Sequence, residues 1–96
     1  MSVVEANGSI KLICKNCRRE HKITGDKVKF SYNRSIPKDL LLENEFVSYY
    51  KTRCDCKRLI SFHIWINEYP AQTLNGKPRY LEYEAERQGE FEINIY

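Results

Sequence analysis

Four cysteines, and no others, stand in two tight pairs: Cys14-Lys15-Asn16-Cys17 and Cys54-Asp55-Cys56. Cysteines retained only for packing would scatter along the chain. Two close pairs separated by a folded segment are what a tetrahedral thiolate site requires, because each turn aims two sulfurs at one point. The pattern predicts a structural zinc ion held by Cys14, Cys17, Cys54 and Cys56, and with it a β-rich fold in which each pair caps a strand.

Size makes such a staple useful. A chain of 96 residues is expected to form one domain and to bury only roughly 60–65% of the surface its unfolded form exposes. A zinc site adds on the order of 10–16 kcal/mol in small peptides. The hydrophobic fraction of 42% and charged fraction of 30% are those of a globular domain. No apolar run reaches the roughly 20 residues of a membrane span. Met1 to Ile10 carry no basic segment followed by an apolar block. The expected setting is therefore the cytoplasm, with no membrane partner, where thiolate–metal chemistry prevails over disulfides.

Each cysteine pair has strand-like flanks. Ser9–Ile13 leads into the first and His21–Thr24 leaves it, with a turn at Gly25-Asp26. Val28–Tyr32 alternates as a half-buried strand. Ser35-Ile36-Pro37 followed by Asp39–Glu43 predicts a short helix over about 36–43, with Leu40 and Leu41 turned inward. Phe46–Arg53 reads as a strand entering the second pair. Leu59–Asn67 is the strongest strand, with Ile60, Phe62, Ile64 and Ile66 on one face and Leu59, Ser61, His63 and Trp65 on the other. Pro70 ends it, Asn75-Gly76 signals a hairpin into Tyr80–Tyr83, and Phe91–Tyr96 alternates as a last strand. The expected fold is mainly β, an antiparallel sheet of five to seven short strands with one short helix.

The stretch Ile13-Cys14-Lys15-Asn16-Cys17, Ile23, Arg53-Cys54-Asp55-Cys56 and Ile60–Ile64 resembles the zinc-ribbon superfamily, specifically short bacterial-type ribbons. The resemblance covers residues 10–66. It implies zinc, β structure and a binding role, and frames a single domain over 1–96: a ribbon-like core over 10–66 with an insertion over 25–45, then a hairpin and strand extension over 67–96. Three departures stand out. The second pair is one residue short, Arg18 and Lys57 occupy the positions after each pair where ribbons carry glycine, and 36 residues separate Cys17 from Cys54. His21, four residues after Cys17, is a candidate substitute ligand if one cysteine points away, and His63, on the mixed face of the Leu59–Asn67 strand, is a second; the alternative for each is a surface or packed histidine.

Charge is uneven. The net +3 divides into +6 over residues 1–66 and −3 over residues 67–96. Lys15, Arg18, Arg19 and Lys22 surround the first pair and Arg53, Lys57 and Arg58 the second, a candidate anion-facing surface. The acidic C-terminal third is either a second face or a partner for the basic one. Tyr49, Tyr50 and Trp65 are candidate contacts, as stacking platforms for single-stranded bases or as protein hot spots; the alternative for Trp65 is a packed second layer.

There is no nucleophile–base pair in recognisable context, no phosphate-binding glycine loop and no H-E-x-x-H. Four cysteine ligands leave a zinc ion no open position. The expected function is a non-enzymatic zinc-binding interaction module with a protein partner: an adaptor, a complex subunit or a phage-type inhibitor. A nucleic-acid-binding ribbon using the basic surface is the first alternative. A thiol redox switch at Cys-x-x-Cys is the second, although the residues after Cys17 do not form the helix that such a pair uses.

Overall fold

A computed structural model describes residues 2–96; Met1 of the expected domain lies outside them. Among the described residues nine strands run in chain order: β1 (Val4–Asn7), β2 (Ser9–Cys14), β3 (Glu20–Thr24), β4 (Ser31–Lys38), β5 (Leu41–Arg53), β6 (Leu59–Glu68), β7 (Arg79–Tyr83), β8 (Ala85–Gln88) and β9 (Glu92–Ile95). They form three antiparallel sheets, ordered β1-β9, β3-β2-β8 and β4-β5-β6-β7. The molecule is elongated, 50 × 21 × 19 Å. The mainly β class expected from the sequence is what the chain adopts.

Strand β6 is the structural axis. Its alternation puts Ile60, Phe62, Ile64 and Ile66 on the inner face, all essentially inaccessible to water. Burying each such side chain contributes roughly 1.5–3 kcal/mol. β6 lies between β5 and β7, and its ladder with β5 runs unbroken from Asn44↔Glu68 to Arg53↔Leu59. Leu12, Cys14 and Ile23 of the second sheet and Phe91 and Ile93 near the C-terminus join the same core. At Gly25 the backbone of β1 passes so close that a Cβ would run into the carbonyl oxygen of Ala6, so glycine is required there.

Residues 67–96 are woven through the molecule. β7 completes the sheet beside β6, β8 pairs with β2, and β9 pairs with β1. Neither β1 nor β8 is signalled by a periodic run in the sequence.

Three local expectations are corrected. The predicted helix over 36–43 is a β-hairpin: β4 and β5 pair from Ser31↔Val47 to Lys38↔Leu41, and the chain turns at Asp39-Leu40 with Asp39 at φ 54°. The only helical element among the described residues is a 3-10 turn at Gly25–Lys27. Continuing β5 into a ladder with β4 outranks local helix preference, and Pro37 is tolerated because β4 is an edge strand that needs no donor on its outer side. Leu40 does not face the core; it is 100% exposed at the hairpin tip, and Leu41 and Leu42 are exposed beside it. The ladder of β4 begins only at Ser31, although Val28 is buried and Phe30 packs on the core as the alternation implies. Asn75-Gly76 is not a tight hairpin. Residues 69–78 form a longer connection in which Tyr69 N–H donates to Thr73 O (2.9 Å) and Thr73 N–H to Pro70 O (3.1 Å). Asn75 is held by its side chain donating to Glu43 and by its N–H donating to Asn67 O (2.8 Å).

Polar contacts lock the far end of the sheet. The buried Glu68 carboxylate accepts from Ser2, from Asn44 Nδ2 (3.1 Å) and from Gln72 N–H (2.6 Å). Burial alone would raise its pKa, but these donors prevail and hold it below the usual carboxylate range. Glu45, also buried, is clamped by Arg34 (3.1 Å) and Arg79 (3.0 Å), with Asn33 donating at 2.7 Å.

Candidate metal centre

Each cysteine pair sits in a turn that hangs from the end of a strand. Cys14 closes β2, and its turn is fastened by Cys14 N–H to Arg19 O (3.0 Å) and Arg18 N–H to Cys14 O (2.9 Å). Cys54 follows β5 directly, and its turn is fastened by Cys54 N–H to Arg58 O (2.8 Å) and Lys57 N–H to Cys54 O (2.8 Å). The second turn is the first with one residue removed: the inner hydrogen bond spans three residues instead of four. The one-residue deletion is absorbed without losing the sulfur-aiming turn.

The missing glycines are visible in the backbone. Arg18 has φ 63° and Lys57 has φ 76°, the left-handed conformation that glycine adopts without penalty. Lys57→Gly is therefore expected to leave stability unchanged or raise it, by up to ~1 kcal/mol. Lys57→Val, a β-branched residue forced into the same conformation, should lower stability by ~1–3 kcal/mol. Chemical denaturation of the two variants checks this, and an equal effect of both would contradict it.

The two turns face each other. The Sγ atoms of Cys14 and Cys56 are 3.6 Å apart, those of Cys17 and Cys54 are 3.4 Å apart, and all four lie within 4.8 Å of one another. A disulfide would need about 2.05 Å. Four sulfurs at Zn–S distances of about 2.3 Å define tetrahedral edges of about 3.8 Å, close to the spacing found. Cys14 and Cys54 are buried, Cys56 is partly buried and Cys17 is exposed, so the cluster opens to solvent on one side.

The surroundings push Cys56 and Cys54 in opposite directions. Cys56 is pulled down to about 6, first by the side chain of Asn16 from the opposite turn and then by the backbone N–H of Arg58. Cys54 receives the N–H of Cys56, which favours its thiolate, but burial and the neighbouring sulfurs outweigh that and push it up to about 12. A divalent ion reverses that balance by supplying the positive charge the sulfurs lack. Arg19 of the first turn also pairs with Asp55 of the second at 2.8 Å.

The cluster contains the four cysteines and neither histidine. His21 stands opposite Leu12 on β3. His63 is on the outward face of β6, stacked between Tyr49 (centroids 4.4 Å, 25° between planes) and Trp65 (5.2 Å, 19°).

The basic surface is less free than composition implied. Arg18 pairs with Glu86 at 3.3 Å, Arg58 with Glu84 at 3.8 Å, and Arg19 with Asp55. The acidic C-terminal third thus partners the basic ring. Lys15, Lys22, Lys57 and Arg53 are exposed and in no ion pair among the described residues; Arg53 donates to the carbonyl of Lys57 at 3.3 Å. Tyr49 and Tyr50 face opposite ways. Tyr50 leans on Phe62 (5.6 Å) against the core, so it does not share a surface with Tyr49 and Trp65. Among the described residues, no helix is long and apolar enough to cross a membrane.

No protein-family model, no curated protein and no solved structure matches this chain.

Proposed function

We propose that this chain is a small zinc-stapled interaction module of zinc-ribbon type that binds a partner and catalyses nothing. The observation that carries the reading is the convergence of four thiols, two from the β3-β2-β8 sheet and two from the β4-β5-β6-β7 sheet, on one point. An all-sulfur tetrahedral set selects soft ions, zinc foremost. With four protein ligands the ion has no position for a reacting water, and the chain's strongest nucleophiles are consumed in holding it. The short sulfur approaches run between turns, Cys14 to Cys56 and Cys17 to Cys54, which supports a shared ion over a Cys14–Cys17 redox couple.

Of the two partner classes, a nucleic acid would not use the knuckles, because three of their four arginines already hold carboxylates. With the knuckles set aside, the small size and modest net charge leave either a protein or a nucleic acid to engage another face of the domain. The metal reading is tested by native mass spectrometry of protein purified without chelator. One zinc per chain is expected, lost on acid denaturation. Identical metal-free masses in both conditions would refute it.

A further inference from the structure

We infer that the outward face of the four-stranded sheet binds single-stranded nucleic acid, with the rings of Tyr49, His63 and Trp65 as its base-stacking platform. The inference rests on the reading of the domain as a binding module and names the partner class and the surface.

The face follows from register. Because Tyr49 pairs with His63 and Val47 with Trp65, alternation puts Tyr49, His63 and Trp65 on the side of β5 and β6 opposite the isoleucine core. Their three rings lie in near-parallel planes, and Tyr49 is 52% exposed. Tyr83, opposite Ser61 on β7, extends the same face and is also exposed. Aromatic rings displayed together on an open sheet are costly to leave in water unless something covers them.

Charge identifies the occupant. Outward positions run from Val47 to Arg53 on β5, Leu59 to Trp65 on β6 and Arg79 to Tyr83 on β7. They include Lys51, Arg53 and Arg79 and no carboxylate. Arg79 is held by Glu45, whereas Lys51 and Arg53 are in no ion pair among the described residues. The nearby Glu43 and Glu45 are engaged by Lys38, asparagines and arginines farther along the sheet. Rings flanked by unpaired cations match a strand of bases on a phosphate backbone: the rings stack on bases and the cations neutralise phosphates. A duplex hides its bases from such a surface. An acidic polypeptide would use the cations but gain nothing specific from three parallel rings.

Trp65 is the only tryptophan in the chain, so its fluorescence reports this face alone. The experiment titrates zinc-loaded protein with oligothymidylate and oligouridylate of about 12 nucleotides, within the span one such surface covers. The expected result is quenching of Trp65 and binding that weakens with salt. In anisotropy measurements on labelled strands, Tyr49→Ala should weaken binding roughly 5- to 150-fold. Lys51→Ala should reduce the salt slope by about 0.7, while Arg18→Ala leaves affinity near wild type. Zinc content and circular dichroism of each variant establish that it is folded. Absence of binding at low salt by folded, zinc-loaded protein would overturn the inference, leave the metal reading intact and point to a protein on this face. Binding unchanged by Tyr49→Ala, or equally tight for duplex, would overturn it too.

Discussion

Removing the metal, or replacing Cys14 or Cys54 by serine, is expected to unfold the domain under native conditions. Cys14 and Cys54 are buried members of the core as well as of the sulfur cluster. Cys14 ends β2 and Cys54 follows β5, strands of different sheets, so a shared ion would bridge a junction otherwise held by apolar packing and the Arg19–Asp55 pair. Zinc binding is worth on the order of 10–16 kcal/mol in small domains, against a typical total stability of about 5–15 kcal/mol. Loss of the ion therefore exceeds the whole margin of an average domain. A strong chelator should abolish the cooperative thermal transition followed by circular dichroism, and added zinc should restore it. A chelated protein melting at the temperature of the untreated one would show that the apolar core suffices. Serine at the exposed Cys17 should weaken metal binding with less damage to packing than serine at Cys14.

Phe62→Ala should be the most damaging single change away from the sulfurs. Phe62 is 0% exposed at the middle of β6, in contact with Tyr50, with paired strands on both sides. Truncating a buried phenylalanine costs about 3–5 kcal/mol in lost transfer energy and cavity formation. For a domain of this size that corresponds to a fall in Tm of roughly 10–40 °C. Leu40→Ala is the control. Truncating an apolar side chain at the solvated hairpin tip, where Leu40 is fully exposed, should change stability by no more than ~0.5 kcal/mol. Comparable losses at both positions would place Leu40 in the core, as a helix over 36–43 would require.

That contrast shows where the sequence was legible. The four-cysteine cluster was readable because cysteine spacing is a local property: a turn either aims two sulfurs or does not. β6 was readable because isoleucine and phenylalanine alternate over its length. The hairpin at 36–43 was not, because Leu40, Leu41 and Leu42 suit a helix or a strand equally. What decides between them is the sheet: β5 runs on past the end of its ladder with β6, and β4 turns back to pair Lys38 with Leu41 and Pro37 with Leu42. The same holds for the charges. Arg18 and Glu86, separated by 68 positions, meet only because β8 returns beside β2. Alternation revealed that His63 and Trp65 share the face opposite the isoleucines. That Tyr49 joins them depends on the β5–β6 register, which no single-strand pattern encodes. The left-handed conformation of Arg18 and Lys57 was foreshadowed by the absent glycines, since the turn needs positive φ whichever residue supplies it.

Whether four thiolates hold one ion between the two sheets is tested most directly by X-ray absorption at the zinc edge of the purified protein. The expected spectrum has a single shell of four sulfurs at about 2.3 Å. A shell containing nitrogen or oxygen, or a protein with no zinc to measure, would contradict it.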